Sequence, residues 1–85
     1  MFHTYILFSE SLKKYYVGST SHLFQRIEEH NQGKTPFTKT GIPWSLMYAI
    51  TCDDNSTARD LEAKIKRRGA ERFLNSLKEN ISSTG

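Results

Sequence analysis

"YYVGST", residues 15–20, reads as the end of a β-strand entering a turn. Tyrosine and valine suit a pleated, half-buried surface, and Gly18 suits a bend or a close approach. Side chains alternate along a strand. If Tyr15 points into a core with Val17, Tyr16 points to the opposite face beside Gly18, where nothing bulky crowds it.

Upstream, "FHTYILF" at 2–8 alternates Phe2, Ile6 and Phe8 on one face with His3, Tyr5 and Leu7 on the other. The polar stretch "SESLK" separates it from "KYYVGS", which argues for a β-hairpin. A four-residue loop over 9–12 sets Tyr5 opposite Tyr16, with Cβ atoms about 4.5–5.5 Å apart. A loop one residue longer shifts the register and breaks that pairing.

Downstream the period changes. Leu23, Phe24, Ile27 and Asn31 recur at helical spacing, Ser21 or Thr20 can cap the start and Gly33 can end the segment, which predicts a helix over 21–32 with Arg26 and His30 one turn apart. "GKTPFTKTGIP" is a loop and "WSLMYAITC" a third strand. After "DDNS", the recurrence of Ala58, Leu61, Ile65 and Gly69 marks the inward stripe of a second helix. Residues 70–79 form a third, anchored by Phe73, Leu74 and Leu77. The fold class is α+β: a three-stranded, mainly antiparallel sheet made of the hairpin and a third strand, flanked by three helices in the order β-β-α-β-α-α. One domain over 1–80 and a disordered tail over 81–85 are expected.

Eighty-five residues support one small domain with one modest core. The single cysteine, Cys52, excludes an internal disulfide and a cysteine-rich zinc site, which suits a reducing compartment and so the cytoplasm. No apolar run approaches the roughly 18 residues of a membrane span, and "MFHTYILFSE" lacks the features of a signal peptide, so the chain is expected to keep its whole length. The net charge of +3 is compatible with a polyanionic partner. Seven of the twelve cations lie between Arg59 and Lys78, either as a basic face or as charges that solubilise helices.

Glu62 is the most informative single residue, because it falls between Ala58 and Ile65 on the side a helix normally keeps apolar. Burying a carboxylate alone costs on the order of several kcal/mol, so a cation such as Arg26, a hydrogen-bond network or a metal must compensate, unless Glu62 sits at the border of the stripe. Tyr5 and Tyr16 on one sheet face can be ordinary cross-strand packing, and Arg26 and His30 a surface cation and its helix neighbour. Taken together, the five converge if both helices flank one edge of the sheet.

Those residues carry a family resemblance. "HTY" at 3–5 and "YVG" at 16–18, then Arg26 with His30, then Glu62 on a helix, resemble the GIY-YIG nuclease domain from Thr4 to about Leu77. The wording "YYVGST", Arg26 to Gly33 and Ala58 to Lys66 is most similar to short single-domain members related to the nuclease domain of the bacterial excision-repair incision subunit. His3 and Thr4 stand where the family has Gly and Ile, and Asn75 is a candidate for an asparagine that some members use.

The resemblance implies a metal-dependent endonuclease acting on phosphodiester bonds of DNA in repair or recombination; the alternative is a non-catalytic nucleic-acid-binding module of the same fold. It implies that Tyr16 is the general base, assisted by Tyr5 or His30. A free phenol titrates at about pH 10, so such a base needs help from Arg26, a protonated His30 or the metal. Arg26 stabilises the phosphate, and Glu62 holds one Mg²⁺ or Mn²⁺ ion. Lys34, Lys39, Lys64, Arg67, Arg68 and Arg72 are candidates for nucleic-acid backbone contacts. No membrane partner is implied, and the free edge of a small sheet suits a monomer or a weak homodimer.

Overall fold

In the computed structural model of the protein, residues 1–84 are described, with side chains through residue 78. Strands β1 (Phe2–Ser9) and β2 (Lys14–Thr20) lead into helix α1 (Leu23–Asn31), and a 3₁₀ turn (Lys39–Gly41) precedes strand β3 (Trp44–Cys52). Helices α2 (Asn55–Arg68) and α3 (Ala70–Thr84) follow. The sheet is antiparallel throughout in the order β2-β1-β3, so the α+β architecture and the β-β-α-β-α-α order are as the sequence indicates.

The hairpin register differs from the expected one. Tyr5 lies opposite Gly18, and Tyr16 opposite Leu7. The loop is still four residues long but runs from Glu10 to Lys13, because Ser9 belongs to the strand. Its buried hydroxyl accepts the Leu12 N–H at 3.2 Å and its carbonyl accepts the Lys13 N–H at 2.8 Å, with Lys13 in the left-handed region at φ 55°. A slip by two residues keeps every side chain on its face, so Tyr5 and Tyr16 remain diagonal neighbours with ring centroids 6.3 Å apart.

The hydrophobic interior is divided in two by the sheet. On one face Tyr5, Leu7 and Trp44 pack with Tyr16, Leu23, Ile27 and Ile42. On the other, Ile6, Val17 and Ile65 pack with Tyr15, Tyr48, Leu61, Phe73 and Leu74. This replaces the single core expected at this length: α1 covers one face and the α2–α3 pair the other. Each fully buried aliphatic side chain contributes about 1.5–3 kcal/mol, so β1, with Ile6 and Leu7 both buried completely, is the central element.

Local signals explain the element ends. Asp54 caps α2 by accepting the Thr57 N–H at 2.7 Å, and Gly69 at φ 97° ends it, so Gly69 is a terminator and not a member of the inward stripe. Helix α1 has no side-chain cap; the Thr20 hydroxyl instead accepts the His22 N–H at 3.1 Å. Phe24, counted with the apolar stripe of α1, is 79% exposed. Helix α3 is longer than 70–79 and reaches Thr84, while the tail expected over 81–85 falls where the side chains, and all of Gly85, lie outside the described residues.

The 33–43 loop is pinned through side chains. Asn31 bonds both backbone groups of Trp44, accepting its N–H at 2.6 Å and donating to its carbonyl at 3.1 Å, and the Trp44 indole N–H donates to the Thr38 carbonyl at 2.7 Å. Thr4, at the position where the family name has Ile, is fully buried and donates to the Ala58 carbonyl at 2.7 Å, tying β1 to α2.

Candidate active site

A cleft of about 500 Å³ runs along the free edge of β2 and draws its walls from four elements. Tyr5 comes from β1, Tyr16 from β2, Arg26 from α1 and Glu62 from α2. Gly18 and Ser19, successive residues that face opposite sides of the sheet, both line it, so the cleft wraps the strand edge. That is how α1 and α2, on opposite faces, contribute to one site.

His30 lies behind the cleft and not in its lining. It is fully buried on α1, and both ring nitrogens have partners. The Thr38 hydroxyl donates to the Thr35 carbonyl at 3.3 Å and so accepts from His30 Nδ1–H at 2.7 Å. This leaves Nε2 as an acceptor for the Tyr5 hydroxyl at 3.1 Å. Burial first, and then the Arg26 charge, push the imidazole below its ordinary pKa, so at neutral pH it is uncharged and the protonated His30 anticipated from the sequence is disfavoured.

The same surroundings keep Tyr5 protonated. Burial and the nearby Tyr16 push its hydroxyl up to about 12, and the Arg26 guanidinium offsets only part of that. With its proton committed to His30, the Tyr5 oxygen retains lone pairs for a donor in the cleft.

Glu62 is partly buried, with 21% of its side chain exposed, and is compensated by a network. Oε1 accepts the Ser19 hydroxyl at 2.5 Å and Oε2 pairs with Lys66 one turn along α2 at 2.8 Å. Burial alone would raise the carboxyl, but Lys66 and Ser19 together hold it below the usual carboxylate range. Arg26, expected as the compensating cation, pairs instead with Glu29 on its own helix at 3.2 Å. That pair is partly exposed and contributes little to stability, about 0–1 kcal/mol, which leaves the guanidinium at the cleft wall available for an anion.

Two cations in the cleft were not singled out by the sequence. Arg59 and Lys66 line it together with Asn55, all on the α2 face that carries Glu62. The signal was the helical spacing of Asn55, Arg59, Glu62 and Lys66, hidden within a generally basic C-terminal third. Lys34, Lys39, Lys64, Arg67, Arg68 and Arg72 lie on the exposed surface outside the cleft lining. Asn75 lines a separate site with Arg68, Arg72 and Ser76, where Arg68 donates to Ser76 at 2.9 Å.

Among the described residues, no group of three or more His, Cys, Asp or Glu side chains gathers as a metal-binding cluster, and no helix is long and apolar enough to cross a membrane. A lone carboxylate is nevertheless compatible with a hydrated Mg²⁺ ion, which commonly keeps several waters and takes substrate phosphate oxygens. Lys66, 56% exposed, is free to give up Oε2 to such an ion.

A family model for the GIY-YIG catalytic domain, the domain of a nuclease family, matches residues 1–75. The chain is 35% identical over 76 residues to a UPF0213 protein of Bacillus cereus, an alignment that covers 85% of this chain and 79% of the relative. It is 33% identical over 70 residues to a UPF0213 protein of Syntrophus aciditrophicus, covering 80% of each. No solved structure gives a significant match. With the family model covering residues 1–75 and relatives above 30% identity aligned over four fifths or more of the chain, the chain belongs to the GIY-YIG family.

Proposed function

We propose that the protein is a metal-dependent endonuclease that hydrolyses phosphodiester bonds in DNA, with Tyr16 as general base, Arg26 as phosphate stabiliser and Glu62 as the ligand of one Mg²⁺ or Mn²⁺ ion. The observation that carries this reading is the convergence of Tyr5, Tyr16, Arg26 and Glu62 on one cleft that also holds Arg59 and Lys66. An opening rich in cations with a single carboxylate suits a phosphodiester better than a neutral or cationic substrate.

The tasks divide among the residues. Arg26 and Arg59 neutralise the non-bridging oxygens, and the planar Arg26 guanidinium suits bidentate contact. Tyr16, as the phenolate after giving its own proton to solvent, orients the attacking water and takes its proton. Tyr5, held neutral by burial and oriented by His30, accepts a hydrogen bond from the water and keeps the pair in line. Glu62 would hold the ion, and Lys66, now paired with it, is placed to release the carboxylate and turn to the phosphate. When bound, the ion supplies Lewis-acid stabilisation of the phosphate and the leaving oxygen. Lys34, Lys39, Lys64, Arg67, Arg68 and Arg72 supply backbone contacts farther along the nucleic acid.

The test is incubation of purified protein with labelled plain and branched DNAs and RNAs in Mg²⁺, in Mn²⁺ and in EDTA, beside Glu62→Gln. Cuts that need the metal and vanish in the variant support the reading. Binding without cuts in any metal overturns it in favour of a non-catalytic module.

A further inference from the structure

The loop between α1 and β3 holds a large aromatic side chain out in solvent. Phe37 is 82% exposed, yet it sits next to Thr38, which is fully buried and bonded through its hydroxyl to His30 and through its carbonyl to the Trp44 indole. Pro36 restricts the chain on the other side. The ring is thus carried by a fixed stretch of backbone, and its exposure is a property of the fold. Packing does not account for it, because a ring left so exposed covers little of Tyr16, the aromatic 6.0 Å from it between centroids.

Phe37 forms one wall of a second cavity of about 290 Å³. Tyr15, Val17 and Ala70 make the rest of that wall largely apolar, and Tyr16 and Lys66 belong both to it and to the active-site cleft. The two cavities are therefore neighbours across shared residues, one lined with cations and a carboxylate, the other with aromatic and aliphatic surface. That alternation of a charged compartment and a flat apolar one matches a nucleotide chain, in which phosphates alternate with bases.

We propose that Phe37 is a stacking platform for an unpaired nucleobase adjoining the phosphate held in the cleft, which makes the preferred substrate a strand whose bases are free to splay outward. The inference rests on the nuclease reading of the cleft, and Phe37 acts by positioning the strand. Stacking on an aromatic side chain is indifferent to base identity, so the contact selects for unpaired structure without reading sequence. A base inside an intact duplex is already stacked on its neighbours and pays to leave them, which sets duplex against single strand at this site.

The test is read first as binding, in EDTA so that no cleavage occurs, by fluorescence anisotropy of a labelled single-stranded oligodeoxynucleotide and of its blunt duplex. Phe37→Ala is expected to weaken single-strand binding about tenfold and leave duplex binding within about twofold, while Phe37→Trp retains single-strand affinity. Thermal unfolding of both variants should match the parent, because the ring is exposed. A series of oligonucleotides with one abasic position completes a cycle: one position weakens the parent and has no further effect on Phe37→Ala. Equal affinity of Phe37→Ala and parent for single strands, or equal losses on both substrates, overturns the platform. Binding that depends on Phe37 without any metal-dependent cuts overturns the nuclease reading alone. A protein that binds neither substrate overturns both.

Discussion

A Cβ atom on Gly18 would stand 2.7 Å from the Tyr5 hydroxyl, so the phenol of β1 lies in the space that any other residue at this position of β2 would fill. The two are register partners, and the missing side chain is what lets the Tyr5 hydroxyl reach His30. Gly18→Ala is expected to push Tyr5 off Nε2, costing about 1–3 kcal/mol of stability and most of the cleavage rate. Denaturant unfolding reads the first and a single-turnover assay the second; unchanged values for both would detach Gly18 from the site.

The tyrosines should separate in their effects. Tyr5→Phe leaves a buried imidazole nitrogen without its donor, a loss of about 1–3 kcal/mol, and should lower the Tm by several degrees. Tyr16→Phe keeps the ring against His30 and Trp44, where centroids lie 4.9 and 6.3 Å away, so its Tm should move little. Its rate should instead fall roughly 10²- to 10⁴-fold, the usual contribution of a general base. Retained turnover in Tyr16→Phe would transfer the base role to Tyr5.

Glu62→Gln is expected to abolish metal-dependent cleavage and preserve DNA binding. The glutamine carbonyl still accepts from Ser19, so the local fold has a substitute, and the loss of a negative charge in a cationic cleft does not oppose a phosphate. Anisotropy in EDTA and cleavage in Mg²⁺ together decide it. Parent-like cutting would remove Glu62 from metal binding.

Stability should fall on mild acidification. His30 is held below its ordinary pKa in the folded state, so the unfolded chain binds the extra proton first as pH drops. Its contribution is fully present above about pH 6.5 and is lost progressively as pH falls from there through the folded value. Unfolding midpoints measured between pH 8 and pH 5 should show this decline, and His30→Gln, starting lower, should show a flatter profile. The carboxylate of Glu62, also held down, weakens the fold in a separate window below the ordinary glutamate range.

Binding should lose affinity as salt rises, and Arg59→Ala should reduce the slope of log affinity against log salt by about 1 if that residue neutralises one phosphate. Lys64→Ala, a residue outside the cleft lining, makes the comparison informative: an equal reduction would mean that the strand is held mainly by the outer surface.

Much of this site was legible in the sequence because period-2 and period-3.6 patterns fix faces. Tyr5 and Tyr16 share a face under either hairpin register, and that survived the error in pairing. The register itself was hidden in Ser9, a residue that composition assigns to a loop but whose hydroxyl and carbonyl close the turn from within the strand. The partner of Glu62 was hidden for another reason: Ser19 is forty-three residues away, and only the tertiary approach of α2 to the edge of β2 brings them together. Arg59 and Lys66 were visible as charges but not as cleft residues, because helical spacing shows which residues share a face without showing what the face meets.

Drawing Tyr5, Tyr16, Arg26 and Glu62 from four separate elements also has a temporal meaning for a chain made from its N-terminus. A ribosome finishes both tyrosines and the arginine long before it reaches α2, and until then the nascent polypeptide lacks its only cleft carboxylate among the described residues. Every translation product that stops before residue 62 therefore lacks that carboxylate, and the fragments of a truncated message cannot complete the cleft.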